Sequence, residues 1–537
     1  MKKTLGSYLI ESLEARGVRH VFGIPGVHNL ELYRGLAASS IRHVTGRHEQ
    51  GLGFMADGYA RVTGQPGVCF TITGPGLTNI TTAMAQAYGD SIPLIVIASE
   101  NRRGEIGTGR GFLHELPDQL GLASKVSVSA ERVLAPEALP QALERAFAAA
   151  TALRPRPAYI EIPRDVLAAE SSGLAQGGAR PAPASPQGAP AEAIAEAAQR
   201  LARAHAPVIL AGGGALGAAS EIRSLAEHLG APVVMSVNAR GLLPPRHPLA
   251  VSLSASLTPV RALISAADVV LAVGTELGPT DYDMYSRDDF PPLPQLIRID
   301  VEASQLERNA HPALALCGHA RQRLREILAA GIGSAAAARS EHGARTAEDA
   351  RSQGLASLSP AMRRQIAFLE SIRDSVPEAF LVGDSTQPVY AGNLGFAAAT
   401  PGSWFNSATG YGTLGYALPA STGAGLGAPE RPVVCLVGDG GLQFSLGELA
   451  VPRDVDAWSA ILVWNNRGYG EIKSSMLAVD IEPEGVDVRP PELADLARAY
   501  GYAHRLIDSL ESLERALRDF VSRRQVLMLE VRAEAFE

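Results

Sequence analysis

RPVVCLVGDGGLQFSLGELAVPRDVDAWSAILVWNN, residues 431–466, reads as a strand, a glycine turn, a helix and a second strand that closes on two amides. The apolar run Val433–Val437 leads into Gly438-Asp439-Gly440-Gly441. Such a turn lets backbone amides approach phosphate oxygens at a helix N-terminus. Asp439 brings the hard oxygen that Mg²⁺ prefers. After a helical Phe444–Ala450, the run Ala460–Trp464 returns as a neighbouring strand and delivers Asn465-Asn466 to the same sheet edge. One carboxylate, one amide oxygen, a backbone carbonyl and diphosphate oxygens would complete an octahedron. Standing alone, the segment would equally suit an ordinary βαβ crossover with a glycine-rich turn.

Other segments bear on that choice. Arg47-His48-Glu49-Gln50-Gly51, continuing through LGFMADGYAR to Arg61, places a carboxylate at the start of a helix otherwise built of small and apolar residues. Desolvation in such surroundings raises a carboxyl pKa. In Gly410-Tyr411-Gly412-Thr413-Leu414-Gly415, glycines bracket one bulky aliphatic residue, which calls for a close backbone approach. Asp384-Ser385-Thr386-Gln387 is a polar loop after the apolar Phe380–Val382.

Gly-Asp-Gly followed at this distance by Asn-Asn resembles the signature of thiamine diphosphate enzymes, the family of pyruvate decarboxylase and acetolactate synthase. The resemblance implies thiamine diphosphate and Mg²⁺ as cofactors. It makes Asp439, Asn466 and the Gly468 carbonyl metal ligands, with Gly440 and Gly441 at the diphosphate and Thr386 and Gln387 at its outer oxygens. RHEQ with DGYAR is similar to the pyrimidine-side motif, which assigns Glu49 to share a proton with the aminopyrimidine. His48 suits a packed histidine as well as a catalytic one. Gly412 would accept from the pyrimidine amino group, and Leu414 would prop the cofactor in its bent form.

At 537 residues and 46% hydrophobic, the chain is long enough for about three domains with filled cores. A formal charge of −8 gives no reason to expect nucleic acid. No run of eighteen uncharged apolar residues suggests a membrane span, and the charged, amphipathic N-terminus does not resemble a signal peptide. Cys69, Cys317 and Cys435 are isolated, which points to reduced thiols and a cytoplasmic protein.

Strand-like runs at Val18–Gly23, Gly67–Thr73, Pro93–Ala98 and Ala158–Pro163 alternate with helical segments up to about residue 170. The alternation repeats over 191–330, with runs at Pro207–Leu210, Val233–Val237, Val269–Val273 and Leu296–Ile299, and a third region spans 359–537. The expected fold is α/β, three doubly wound parallel-sheet domains. Ala/Gly/Pro/Ser-rich Glu170–Pro190 and the stretch of about Gly331–Leu358 read as separators. In the family these domains are pyrimidine-binding (1–170), central and Rossmann-like (191–330), and diphosphate-binding (359–537). Family sites form between subunits, which implies a homodimer or homotetramer with sites at the interface. The central AGGGALG could suggest dinucleotide binding. Val273-Gly274-Thr275-Glu276-Leu277 and its continuation lack the pattern of flavin-binding relatives, and this points away from FAD.

The cofactor performs the carbanion chemistry, and fold alone does not select the reaction. Two readings stand: decarboxylation of a 2-oxo acid to an aldehyde, and acetolactate synthase-like joining of two 2-oxo acids. A non-catalytic binding subunit and a diketone hydrolase stand behind them. His114, in Gly111-Phe112-Leu113-His114-Glu115, suits a proton relay or a plain loop histidine. Glu471, in Arg467-Gly468-Tyr469-Gly470-Glu471, suits a second acid. GIPGVHNLELYRGL, RHEQGLGFMADGYAR, GYGTLGYALPA and MLAVDIEPEGV resemble the decarboxylases of arginine catabolism. That implies a guanidino-substituted 2-oxo acid and a facing carboxylate. Asp480, Glu482 and Glu484 are candidates for it, with Asp118 and Glu115, and a solvated acidic face is the alternative for all five.

Overall fold

The computed structural model describes residues 3–151, 153–174, 188–284, 289–333 and 336–536. Among these, strands assemble into three six-stranded sheets with parallel pairing. In the first the order is Arg42–Thr45, His20–Gly23, Gly67–Thr71, Leu94–Glu100, Ala158–Pro163, Ser129–Arg132. Gly67–Thr71, Leu94–Glu100 and Ala158–Pro163 are buried at every position. Their mostly apolar sequences reflect helices covering both faces. One layer of that cover is Leu5, Leu9 and Leu13 of the helix Leu5–Ala15, with Leu143 and Phe147 of Leu139–Thr151.

The third sheet runs Trp404–Asn406, Phe380–Gly383, Val433–Gly438, Ser459–Asn465, Leu527–Arg532, Ala503–Ile507. Counted within itself it has the same order as the first, 2-1-3-4-6-5. The central sheet differs: Leu314–Cys317, Ile297–Asp300, Val269–Val273, Pro207–Ala211, Val233–Met235, Ala250–Val251. Read from its other edge this is 3-2-1-4-5-6, the dinucleotide-fold order. At its switch point Gly212 and Gly214 donate their amides to the Val273 and Gly274 carbonyls at 3.0 and 2.9 Å. A Cβ on Gly212 would stand 2.3 Å from the Gly274 oxygen. These glycines therefore let two turns cross, with their amides already engaged.

Residues 175–187 of the first expected separator lie outside the described residues. The second corrects the sequence reading, since Ala337–Ser357 is a 21-residue helix. Arg339 donates to the Ala202 and Ala204 carbonyls, Arg351 donates to those of Pro248 and Ala250, and Gly343 abuts the Gly230 oxygen. Alanine and arginine, which look linker-like by composition, here serve helix propensity and carbonyl capping.

The chain divides into two compact units. One gathers residues 1–184 with 410–433 and 442–459; the other holds 185–409, 434–441 and 460–537. Within the first unit the helices Glu49–Thr63 and Ala417–Gly427 meet backbone to backbone. A Cβ on Gly58 would lie 2.0 Å from the Ala420 oxygen, and one on Gly423 1.8 Å from the Met55 oxygen. Beside them Arg61 bridges Asp57 at 2.7 Å and Asp90 at 2.5 Å, all nearly buried, and the Tyr416 hydroxyl donates to Asp57. Arg61→Leu would strand two carboxylates from water without their arginine. Urea unfolding should show a loss of about 3–5 kcal/mol. Removing the exposed Arg515, paired with Glu511, should cost about 1 kcal/mol or less.

Candidate cofactor and active site

In the second unit, the C-terminal ends of Phe380–Gly383, Val433–Gly438 and Ser459–Asn465 converge where the strand order reverses, the usual ligand crevice of an open α/β sheet. Asp439 opens a short helix, Asp439–Gln443, directly after its strand. The sequence placed that helix later, at Phe444–Ala450; Phe444 is instead 55% exposed, and Leu446–Ala450 forms a 3₁₀ turn. The side-chain oxygen of Asn466 faces Asp439 Oδ1 at 3.0 Å and the Gly468 carbonyl at 2.8 Å. Three oxygens so placed repel unless the amide turns its nitrogen inward or a cation sits between them. Their spacing matches adjacent corners of an octahedron with metal–oxygen bonds of about 2.1 Å. Burial pushes the Asp439 carboxyl up to about 6 despite backbone amides that favour its charged form. A divalent cation would reverse that shift. The oxygen set therefore fits Mg²⁺ bound jointly with a diphosphate. No group of three His, Cys, Asp or Glu among the described residues forms a metal cage.

Each neighbouring residue has a steric or polar reason to be there. A Cβ on Gly440 would strike the Tyr469 ring at 2.7 Å, and one on Gly441 would reach Asp384 Oδ1 at 3.3 Å. Gly468 sits at φ +154° with the Val486 oxygen 2.4 Å from where a Cβ would be. The Thr386 side chain makes no capping bond to the helix Gln387–Gly395 that it precedes. Gln387 Oε1 accepts from Trp464 Nε1 and Asn466 Nδ2, both at 3.0 Å, and so orients the Asn466 amide. Thus Asp384, Thr386, Gln387, Gly440, Gly441, Asp439, Asn466 and Gly468 form one constellation.

The pyrimidine-side candidates fall in the first unit. Glu49 is the first residue of Glu49–Thr63, half-buried, and accepts from Asn79 Nδ2 at 2.9 Å. His48 is the N-cap, its Nδ1 accepting from the Gln50 amide at 3.1 Å; this is a structural duty. Glu448, buried, accepts from the Arg47 and His48 amides at 2.9 Å each. Burial raises its pKa against those two amides, and the charge of Glu49 adds to the rise. Nothing local marks Glu448 in the sequence, 400 residues from the loop it braces. Gly410, Gly412 and Gly415 all adopt positive φ, and Thr413 donates to Gln86 at 3.0 Å. Leu414 lies between them, half-buried.

Of the remaining candidates, His114 packs edge-to-face on His28 with ring centroids 5.1 Å apart. Glu115 is occupied by its own loop, accepting from the amides of Gly109, Gly111 and Phe112, and Asp118 caps the helix Gln119–Ala123. Both therefore have structural duties within their own loop. Glu471 stands in the first turn of Gly470–Ala478, exposed by area yet crowded enough that lost hydration raises its pKa. Asp480, Glu482 and Glu484 are exposed, while Val486 beyond them accepts from the Tyr469 amide at 2.9 Å, tying their segment to the loop that follows Asn466.

Comparison with known proteins agrees with the geometry. Residues 3–122 match the N-terminal TPP binding domain of thiamine pyrophosphate enzymes, 194–327 the central domain and 384–531 the C-terminal TPP binding domain. The chain belongs to the thiamine pyrophosphate enzyme family. It is 46% identical over 98% of its length, and 94% of the relative's, to the Pseudomonas aeruginosa protein named "Probable 2-ketoarginine decarboxylase AruI". An acetolactate synthase of Arthrospira platensis shares 30% identity over 99% of this chain and 94% of its own. Isozyme 1 of the Escherichia coli acetolactate synthase large subunit shares 31% over 87% and 82%.

Proposed function

We propose that the chain is a thiamine diphosphate- and Mg²⁺-dependent decarboxylase of a 2-oxo acid, with 5-guanidino-2-oxopentanoate going to 4-guanidinobutanal and CO₂. The observation that carries the cofactor assignment is the set of three facing oxygens of Asp439, Asn466 and Gly468. The substrate rests on the 46% identity, end to end, with a relative named for 2-ketoarginine. When bound, the cofactor supplies the electron sink that makes loss of CO₂ from a 2-oxo acid feasible. Asp439, Asn466 and Gly468 would hold the metal that accompanies the diphosphate; Gln387 fixes the Asn466 amide, and Thr386 is the residue assigned to the diphosphate beside them. Glu49, kept in place by Asn79 and by the Glu448 brace, holds the proton at the pyrimidine. His114 and Glu471 are the groups assigned to proton delivery. Engagement of the Gly212 and Gly214 amides supports a central domain without FAD.

Two copies of the chain forming the sites between them, in a dimer or tetramer, belong to the same proposal, as does a cytoplasmic place in arginine catabolism. Among the described residues, no helix is long and apolar enough to cross a membrane.

The second reading, joining of two 2-oxo acids, is favoured by the acetolactate synthases at 30–31% identity. Product analysis separates the two. With thiamine diphosphate and Mg²⁺, the purified chain is expected to release CO₂ and aldehyde from 5-guanidino-2-oxopentanoate at a kcat/KM at least about a hundredfold above pyruvate, as a paired guanidinium implies. Acetolactate from pyruvate as the main product would overturn the decarboxylase assignment.

A further inference from the structure

His28 is 4% exposed and sits in the turn after the strand His20–Gly23, pinned by Asn29, which accepts from the Gly26 amide at 2.7 Å and donates to the Ile24 carbonyl at 3.0 Å. Its Nε2 lies 3.4 Å from Nη1 of Arg164, itself held by Glu105 at 3.0 Å. A guanidinium only donates, so Nε2 must accept and the ring's proton must sit on Nδ1. Nδ1 is buried and has no hydrogen-bond partner. A buried N–H without an acceptor is rare and calls for one from outside the chain. The ring also packs nearly perpendicular to that of His114, which is fixed in a left-handed backbone conformation at φ +62°. His114 also presses on Gly74, where any Cβ would come 2.4 Å from its carbonyl oxygen. In the chain, 68%-exposed Val27, 58%-exposed Leu30 and 60%-exposed Leu113 flank the pair. One polar donor among apolar side chains is the ordinary make-up of a small-molecule site.

We propose that His28, locked as the Nδ1–H tautomer by Arg164, donates a hydrogen bond to a carboxylate or carbonyl oxygen of the 2-oxo acid and is a substrate-contacting residue alongside His114. This rests on the decarboxylase reading above. Burial, then the charges of Arg164 and His114, lower the His28 pKa, with Glu105 opposing. These effects favour the neutral ring, a fixed donor and not an acid.

The tautomer is read directly from two-bond ¹H–¹⁵N correlations in histidine-labelled protein, with His28→Phe supplying the assignment. Nδ1–H is expected at pH 8, changing to Nε2–H in Arg164→Leu; an Nε2–H ring in the unaltered protein would overturn the proposal. His28→Phe should raise KM for the 2-oxo acid about 10- to 100-fold, the worth of a hydrogen bond to a charged acceptor, with kcat changed far less. His28→Asn, whose amide N–H stands at the distance of Nδ1, should recover part of that loss. Unchanged KM in both variants would equally sink the idea. No decarboxylation of any 2-oxo acid by the unaltered chain would instead remove the decarboxylase reading, and with it the acceptor named here, and the spectrum distinguishes that case from a wrong tautomer.

Discussion

Glu49→Gln is expected to reduce turnover about 10²- to 10⁴-fold while leaving affinity for thiamine diphosphate and Mg²⁺ nearly unchanged. The carboxamide has the same shape and its oxygen can still accept from Asn79, so the helix start and its Glu448 brace survive. What disappears is the ability to share a proton, and general acid–base contributions are of this size. Calorimetric titration of the cofactor would give the affinity, and NMR exchange of the cofactor's C2 proton with solvent would report the missing step. Exchange at the unaltered rate would remove Glu49 from its assigned role. Loss of cofactor affinity would recast it as a binding residue.

Asp439→Ala should act on the facing oxygens of the second unit and fail differently. It deletes the charged member of a three-oxygen set, leaving the neutral Asn466 amide and Gly468 carbonyl to face a cation. Mg²⁺ and cofactor affinity should fall together by at least about a hundredfold, because even groups one step behind a metal ligand are worth 10- to 100-fold. Excess Mg²⁺ should restore some activity, whereas no amount should restore Glu49→Gln. The change also relieves a buried carboxyl pushed up to about 6. Without metal, the Asp439→Ala fold should thus be no less stable at neutral pH. Burial raises this acid, so its charged form opposes folding as pH climbs through 6, the reverse of a salt-bridged acid. Retained cofactor affinity in Asp439→Ala would contradict the metal role.

Sequence legibility followed burial. Ala158–Pro163 and Val269–Val273 were readable to the residue because strands covered on both faces are mostly apolar. Arg42–Thr45 and Ser129–Arg132 show no such run, being half-solvated sheet edges. Leu527–Arg532 is as apolar as a central strand, but it follows an amphipathic helix near the chain end and the sequence reading passes over it. The 21-residue helix Ala337–Ser357 was hidden by a composition that suits a linker equally well.

The sequence by itself determined what spacing and residue type can encode. A Gly-Asp turn after one strand and two amides after the next must meet at one sheet edge. RHEQ must start a helix, and Gly410, Gly412 and Gly415 must take backbone shapes other residues resist, as their positive φ values show. Only tertiary structure decided which side chains serve those groups from far along the chain. Glu448 braces the Glu49 loop across 400 residues, and Gln387 orients Asn466 across 79. Arg164 sets the tautomer of His28 across 136. Such contacts carry no local pattern, because hydrogen bonds and desolvation act through space at about 3 Å, whatever the separation along the chain.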